Sequence, residues 1–352
     1  MSNTLASKID ELNKLKRAVD FNTYDFSVKE IISLVKDNVI NISPDYQRKF
    51  RWDKERQSAL IESILLGIPI PSIFMATNAN GTWEVIDGVQ RISTMLNFVL
   101  DEQDSFRENE DNMSIPLKLT GLAKLKSFNG MEYKDFPQSL KYDFLLKPIK
   151  VITLSDKSDS LVRFDLFERL NTGGIILSDQ EIRSCIFKGR FNDFLKEKSN
   201  NTDFANSIKI TESQKNDGSK EELVLRFFAY LNYRDHFIHG VKDFLNEYMS
   251  KSDKEFNYTV NSQIFDKVFG QLNQLQYGIV KSHTRKITSF ILFESVSVGA
   301  AEAINAGVER LNLDNFYQWV CEPDFNRLIT GATNDPGKLN RRIEFCKNHF
   351  SE

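Results

Sequence analysis

Five consecutive residues in the N-terminal half of the chain carry side chains and backbone that could bind an anion. Asp87, Gly88, Val89, Gln90 and Arg91 stand between a predicted strand and a predicted helix. The first N–H groups of a helix have no backbone partner and, with the helix dipole, attract negative charge. Gly88 lets a phosphate approach the backbone because it has no Cβ, and Arg91 could fork onto phosphate oxygens.

Asp87, at the end of the predicted strand, has three candidate roles. Its carboxylate could hold Mg²⁺, position a water molecule or cap the helix. A strand, an Asp-Gly turn and a helix also form an ordinary structural turn, so this interpretation stays open beside the functional one. In the functional interpretation, Asp87, Gln90 and Arg91 are the catalytic residues and Asp87 is the metal ligand.

Tyr46, Gln47 and Arg48 follow Pro44 in a segment that the proline predicts to be extended. Alternation along such a segment places Tyr46 and Arg48 on one face and Gln47 on the other. Three polar-tipped side chains in an apolar neighbourhood predict the wall of a pocket. The alternative is that Arg48 pairs with an acidic residue at the surface.

A second polar turn interrupts a helical pattern further along the chain. Its adjacent glycines would expose backbone N–H groups, which could form an anion nest. Ser178 and Glu181 then form a capping box for the next helix, from which Arg183 could reach back toward the turn. The alternative is a plain connector between helices. The turn consists of Asn171, Thr172, Gly173 and Gly174.

Metal-ligating residue types are sparse in the sequence. His236 and His239 have a spacing that could place both on one helix face, but no carboxylate completes an HExxH pattern. The cysteines, Cys185, Cys321 and Cys346, are far apart and odd in number, which favours a reducing compartment over a disulfide framework. A zinc site is therefore not expected.

Length and composition predict a globular chain of two domains or of one large domain. It has 352 residues, of which 41% are apolar, and a net charge of -3, which argues against a surface built to coat DNA. The first ten residues lack an apolar signal core, and no run approaches the roughly 20 apolar residues of a membrane span. We therefore expect a cytoplasmic protein without a membrane partner.

Helices and strands both occur in the first half of the predicted pattern. Ser27 and Glu30 form a capping box for a helix through Val35, and a helix over 55–66 ends at Gly67. Strands are predicted over 72–77, 83–86 and 148–155.

The later parts of the chain differ in their predicted secondary structure. Residues 117–137 are predicted to mix short strands and turns, and the pattern from residue 160 onward is almost entirely helical. The predicted helices cover 160–170, 178–187, 190–197, 221–232, 241–249, 262–277, 285–306, 314–320 and 338–348.

The span from Pro44 to Val99 resembles the ParB-type core of chromosome-partitioning ParB proteins and, more distantly, of sulfiredoxin. The shared order is a Gln-Arg segment, a helix ending in glycine, a strand after prolines, a second strand and a glycine-arginine box that opens a helix. In ParB this box grips a nucleoside triphosphate. The resemblance implies an α+β fold, with a small mixed-sheet domain in residues 1–158 and a mostly α-helical domain in residues 159–352.

A narrower resemblance is to the N-terminal-domain family of GmrSD-type restriction systems. It rests on four motifs, which are PDYQRKFRW, LIESILLGIPIPSIF, EVIDGVQR and FERLNTGGIILSDQEIR. The family usually shows Asp-Gly-Gln-Gln-Arg, and here Val89 replaces the first glutamine. The resemblance extends from about Thr23 to the last helix, and longer members carry an HNH-type nuclease domain after this region.

These resemblances imply a phage-defence protein that binds, and we expect hydrolyses, a nucleoside triphosphate with Mg²⁺. Two alternatives stay open: a non-catalytic, nucleotide-gated DNA sensor or partner of a separate nuclease subunit, and a ParB-like DNA nuclease or nickase. DNA, a nuclease subunit and further copies of the chain are candidate partners. The implied nucleotide contacts are Tyr46, Gln47, Arg48, Gly88, Arg91, Asn171, Thr172, Gly173 and Arg183.

Overall fold

The computed structural model describes residues 5, 7–10, 20–42, 52–78, 80–100, 116–155, 160–170, 178–282, 284 and 287–352. The chain divides into two compact units, Met1–Ile176 and Leu177–Glu352. The first unit combines a sheet with helices, and the described residues of the second contain helices and no strand. Mixed α and β structure is therefore confirmed. The predicted domain boundary, between residues 158 and 159, lies outside the described residues and stays a prediction.

The described part of the first unit holds a five-stranded mixed sheet in the order β1-β5-β3-β4-β2. The β1–β5 and β3–β4 pairs are antiparallel, whereas β5–β3 and β4–β2 are parallel. Inward side chains such as Ile73, Met75 and Val85 are fully buried in the unit's core. The strands are β1 (Phe21–Ser27), β2 (Ile40–Asn41), β3 (Ile73–Thr77), β4 (Trp83–Asp87) and β5 (Pro148–Leu154).

The pairing of β2 with β4 sets the direction of the chain near Asp87. Ile40 lies opposite Trp83, and the two strands run in parallel, so both advance toward the same edge of the sheet. On the other side of β4, Asp87 lies opposite Phe74 of β3. β2 thus pairs with the first two residues of β4, Trp83 and Glu84, whereas the carboxyl end of β4 lies beside the start of β3.

Besides the helical residues 5 and 7–10, the described part of the first unit contains five helices. The capping box predicted at Ser27 is present, since its Oγ accepts from the Glu30 N–H and its own N–H donates to the Glu30 carboxylate. Gly67 follows the second helix with φ +69°, as predicted for a helix end. The helices are α1 (Val28–Lys36), α2 (Lys54–Leu65), α3 (Val89–Val99), α4 (Gln138–Leu145) and α5 (Ser160–Leu170).

Three features of the first unit differ from the sequence-based prediction. β1 and β2 were not predicted: β1 is an edge strand with mostly exposed residues, so it lacks the alternation that identifies a half-buried strand. The prediction of strands within 117–137 is wrong, because this segment contains turns and two 3₁₀ helices, at Lys126–Phe128 and Tyr133–Asp135. The helix α4 that follows was also missed. In each case contacts distant in sequence decide the conformation.

The second unit is built from helices around one large apolar core. All eight helices predicted from residue 178 onward are present with shifted ends, whereas two six-residue helices, α8 and α14, were not predicted. The helices are α6 (Asp179–Ile186), α7 (Arg190–Ser199), α8 (Thr202–Ser207), α9 (Ser219–Asn232), α10 (Val241–Glu255), α11 (Tyr258–Leu272), α12 (Phe290–Asn305), α13 (Phe316–Trp319), α14 (Pro323–Leu328) and α15 (Pro336–Ser351). Within the described chain, no helix combines the length and apolarity needed to cross a bilayer.

Two of these helices, α12 and α15, touch backbone to backbone at Gly299. A Cβ added there would lie 2.7 Å from the Cβ of Cys346 and 2.9 Å from the carbonyl oxygen of Ile343. Real Cβ atoms do not approach so closely, so the two helices would have to separate. Gly299 therefore sets the distance between α12 and α15.

We expect Gly299→Ala to destabilise the chain by about 1–3 kcal/mol, the usual range for overpacking a core. Gly270→Ala is the matched control, because Gly270 is also inside a helix and its added Cβ would be 3.8 Å from the nearest atom, the Asp203 carboxylate. Urea unfolding followed by circular dichroism measures both. Equal stability of the two variants would contradict the close-contact argument.

Glu62 of α2 holds the turn that precedes the first 3₁₀ helix. Its Oε1 accepts the backbone N–H groups of Lys124 and Leu125, each at 2.7 Å. The bond from Leu125, more than any other interaction, lowers the pKa of the Glu62 carboxyl. The ionised side chain therefore ties α2 to a turn about 60 residues away in sequence.

Acidic pH should lower the stability of the fold by protonating Glu62. Because its pKa is lower in the folded state, its charge stabilises the fold above the unfolded pKa, and this contribution disappears as the pH falls through the folded pKa. Glu62→Gln should therefore be less stable than wild type at about pH 7 and match it at low pH. Glu55→Gln, an exposed change on the same helix, is the control. A pH-independent difference at Glu62 in urea unfolding would contradict this assignment.

Candidate functional site

The turn between β4 and α3 has a backbone conformation that favours glycine. Gly88 is the N-cap of α3 with φ +113°, and no described side chain caps the helix there. A Cβ at this position would be 3.0 Å from Cγ1 of Ile73 and 3.2 Å from Nη2 of Arg91. The helix therefore begins with uncapped N–H groups beside a close-packed glycine, which is the backbone arrangement of an anion site.

Asp87 and Arg91 form an ion pair across this turn. Nη2 of Arg91 lies 2.7 Å from Oδ2 of Asp87 and 3.4 Å from the carbonyl oxygen of Ser72. The Arg91 side chain is 10% exposed and that of Asp87 39% exposed. Nε of Arg91 is buried and has no hydrogen-bond partner among the described residues. Asp87 thus contacts the arginine instead of capping the helix, which was one of its three predicted roles.

Gln90 anchors the chain that enters α2. Its Oε1 accepts the backbone N–H of Trp52 at 3.1 Å, and the Trp52 carbonyl in turn accepts from Nε2 of Gln57 at 2.9 Å. Nδ2 of Asn97, further along α3, is 3.4 Å from Oε1 of Gln57. The geometry thus gives Gln90 a positioning contact. Its predicted catalytic role stays a prediction.

The segment that carries Tyr46, Gln47 and Arg48 lies outside the described residues, but both of its flanks are described. Ile42, just after β2, is 7% exposed and belongs to the core of the first unit. At the other flank, Trp52 is bonded to Gln90 as described above. Ile42 thus follows the pairing of β2 with the first two residues of β4, and Trp52 is held by Gln90 in the first turn of α3.

Val89, the position that departs from the usual family motif, lies on the core side of the turn. Its side chain is 6% exposed and packs within the apolar core of the first unit. The neighbouring Asp87, Gly88 and Arg91 carry the polar features of the turn. The departure at Val89 therefore does not remove a group from the ion pair or from the helix start.

The predicted loop contacts Asn171, Thr172 and Gly173 lie outside the described residues. Arg183 is described and is 1% exposed inside the second unit. Its guanidinium donates to Asn246 Oδ1 at 2.8 Å and Gln180 Oε1 at 2.9 Å, and it pairs with Glu222 at 3.2 Å. In this structure Arg183 is a core residue of its own unit, which the sequence pattern did not indicate.

Arg183 is one end of a buried chain of alternating charges that sequence analysis did not identify. The chain continues through Glu222, Arg226 and Glu294 to Arg342, with successive N–O distances of 3.2, 2.6, 2.5 and 2.8 Å. Burial opposes the ionised form of Glu222, but its arginine neighbours lower its pKa overall. A signal existed in the sequence, since Arg226 and Glu294 are single charges within the apolar runs LVLRFFAY and FILFESVSV.

The histidine pair does not share a helix face, contrary to the spacing argument. His236 ends a 3₁₀ helix and His239 follows in irregular structure, because the helical pattern stops at Asn232. His236 stacks on Tyr233 with ring centroids 3.9 Å apart. Among the described residues, no three His, Cys, Asp or Glu side chains lie together in a group that could hold a metal ion.

The backbone of Gly88 yields a test of the turn. Gly88→Ala should destabilise the chain by about 1–3 kcal/mol, because alanine at φ +113° is strained and its Cβ would press on Ile73. Gly81→Ala also has positive φ, +81°, but open space around it, so it measures backbone strain alone. Thermal and urea unfolding should show the larger loss at Gly88. An equal loss at both positions would mean that the close approach to Ile73 has no energetic effect.

Comparison with known proteins places this turn in a family. Residues 28–188 match the family model described as the GmrSD restriction endonuclease, N-terminal domain, and this span contains the turn and the flanks of the Tyr46–Arg48 segment. The match ends near the start of the second unit, short of the extent inferred from the motifs. Neither curated proteins nor solved structures gave a match. Residues 28–188 are therefore similar to the N-terminal domain of the GmrSD restriction endonuclease family.

Proposed function

We propose that this chain binds and hydrolyses a nucleoside triphosphate as part of a phage-defence restriction system. The restriction role comes from the family that residues 28–188 match. The proposed nucleotide site is the turn between β4 and α3. We also propose that residues 44–99 form a ParB-like core, since strands, turn and helix follow one another in that order.

One observation carries the proposal: α3 begins at Gly88 without a side-chain cap, directly beside a buried arginine. A cation in the first turn of a helix is unfavourable next to the positive end of the dipole. Arg91 is nevertheless there, 8% exposed, and its Nε has no partner in the described chain. An anion bound at the turn would satisfy both the helix start and the guanidinium.

Catalysis of phosphoryl transfer depends largely on positioning and charge stabilisation. In the proposal, each side chain of the turn has one of these roles. Arg91 and the Gly88 backbone would hold phosphate oxygens. Gln90 would keep the turn fixed to Trp52 through the bond that it already accepts. Asp87 suits Mg²⁺, because it offers carboxylate oxygens and is 39% exposed. When bound, Mg²⁺ would neutralise charge on the phosphates.

Further contacts to the nucleotide would come from Tyr46, Gln47 and Arg48. The described flanks of their segment are Ile42, which follows β2, and Trp52, which is bonded to Gln90 beside the turn. Asn171, Thr172 and Gly173 stay in the proposal as contacts implied by the family. Arg183 is left out because its guanidinium is already bonded to Asn246, Gln180 and Glu222.

A second candidate is nucleotide binding without turnover, as in a switch that signals to DNA or to a separate nuclease subunit. It is favoured by the ion pair, in which the one carboxylate of the turn is already engaged by Arg91. Phosphate release separates the candidates: binding without release supports the switch, and release that Arg91→Ala abolishes supports hydrolysis.

Removing the guanidinium should abolish nucleotide binding. We expect Arg91→Ala to lose measurable affinity for every nucleoside triphosphate in the presence of Mg²⁺, and Arg91→Lys to be weakened because lysine cannot fork onto two oxygens. Arg56→Ala is the control, since Arg56 is an exposed arginine in the same unit. Calorimetry with each of the four ribonucleotides measures this.

Folding of each variant is checked by circular dichroism, because Arg91→Ala leaves Asp87 without its partner. If wild type binds none of the four nucleotides at sub-millimolar concentration, the proposed function is wrong. If Arg91→Ala folds and binds as tightly as wild type, the turn is not the site.

A further inference from the structure

The ion pair at the turn joins two side chains that the proposed function assigns to different ligands. Arg91 is assigned to phosphate and Asp87 to a divalent cation, yet Nη2 and Oδ2 are 2.7 Å apart. In the structure each charge therefore neutralises the other. A phosphate that binds Arg91 must displace Asp87, and a cation that binds Asp87 must displace Arg91.

The two partners are not equally free to move. The Arg91 side chain is 10% exposed, and its Nη2 also lies 3.4 Å from the carbonyl oxygen of Ser72. Gly88 packs against it, since even a Cβ there would come within 3.2 Å of Nη2. The Asp87 side chain is 39% exposed. The guanidinium is thus held in place, and the carboxylate is the partner with room to turn away.

The buried guanidinium of Arg91 also has a hydrogen-bond donor that a ligand could use. Nε of Arg91 is buried and, in the part of the chain that the structure describes, makes no hydrogen bond. Asp87 accepts from one terminal nitrogen, Nη2. A phosphate group could offer oxygens to more than one of these donors, as arginine forks commonly do. Exchange of Asp87 for phosphate is therefore chemically reasonable at this arginine.

We propose that the Asp87–Arg91 pair couples phosphate binding to binding of a divalent cation. Phosphate on Arg91 releases Asp87, which then stands as an unpaired carboxylate beside another anion. A cation on Asp87 alone leaves Arg91 buried without a counter-charge. When both ligands are bound, every charge has an opposite neighbour. Each ligand therefore favours the other, and thermodynamic linkage makes the effect reciprocal.

This inference deepens the proposed function and rests on it, because it assumes that phosphate binds at the turn. It further restricts the ligand class. The site would take a polyphosphate together with a divalent cation and would bind the metal-free polyphosphate weakly. The base of the nucleotide plays no part in the coupling, so a polyphosphate without a nucleoside is a sufficient probe.

The test is calorimetry of the full chain with inorganic tripolyphosphate, in excess Mg²⁺ and in a chelator. Wild type should bind the probe about tenfold or more tightly with Mg²⁺, within the usual range of coupling between sites. Asp87→Asn should bind the metal-free probe more tightly than wild type does, since no carboxylate competes for Arg91. Mg²⁺ should increase the affinity of Asp87→Asn for tripolyphosphate by less than about threefold.

Asp25→Asn is the matched control. Asp25 is an exposed residue of β1, so the change removes the same charge from the same unit away from the turn, and it should behave as wild type. Asp87→Ser is the second variant without a carboxylate, for use if Asp87→Asn does not fold by circular dichroism.

The outcomes separate the two proposals. If wild type binds tripolyphosphate equally with and without Mg²⁺, or if the Asp87 variants keep the full effect of Mg²⁺, the coupling is refuted and the proposed function stands. Weaker metal-free binding by Asp87→Asn than by wild type would also refute it. If wild type binds neither tripolyphosphate nor any nucleotide in either condition, both proposals fail.

Discussion

The candidate site depends on the backbone of Gly88. Its positive φ turns the chain from β4 directly into α3, and its lack of a Cβ lets Ile73 and Arg91 close on the turn. Asp87, the last residue of the strand, precedes Arg91 by four positions. The sharp turn brings the two side chains within ion-pair distance of each other. A broader turn would separate the strand end from the first turn of the helix, and the ion pair could not form.

The surroundings of the turn are held by bonds between segments that are distant in sequence. Gln90 bonds to Trp52, Gln57 to Trp52, and Asn97 to Gln57, so polar side chains of α2 and α3 meet inside an apolar core. Buried amides are expensive unless they are bonded, so these contacts select one register of α2 against α3.

The second unit contains a chain of ion pairs between its helices. Three arginines and two glutamates lie within its helices, and desolvation opposes the burial of each of these charges. Their signs alternate along the chain of ion pairs, so every glutamate has two arginine neighbours. Arg226 also stacks over the Phe290 ring, with its guanidinium carbon 4.4 Å from the ring centroid. Many aromatic residues of this half pack in the described core.

By itself, the sequence determined the local features of this protein: the capping boxes at Ser27 and Ser178, the glycine end of α2, the strand–turn–helix at Asp87 and the family of residues 28–188. These depend on neighbouring residues, whose types and spacing can be seen directly. The tertiary structure alone decided that β1 is a strand, that Val89 faces the core and that Arg183 is buried. It also decided that Arg91 is paired with Asp87. Each of these depends on which distant atoms come into contact, and spacing along a single chain does not contain that information.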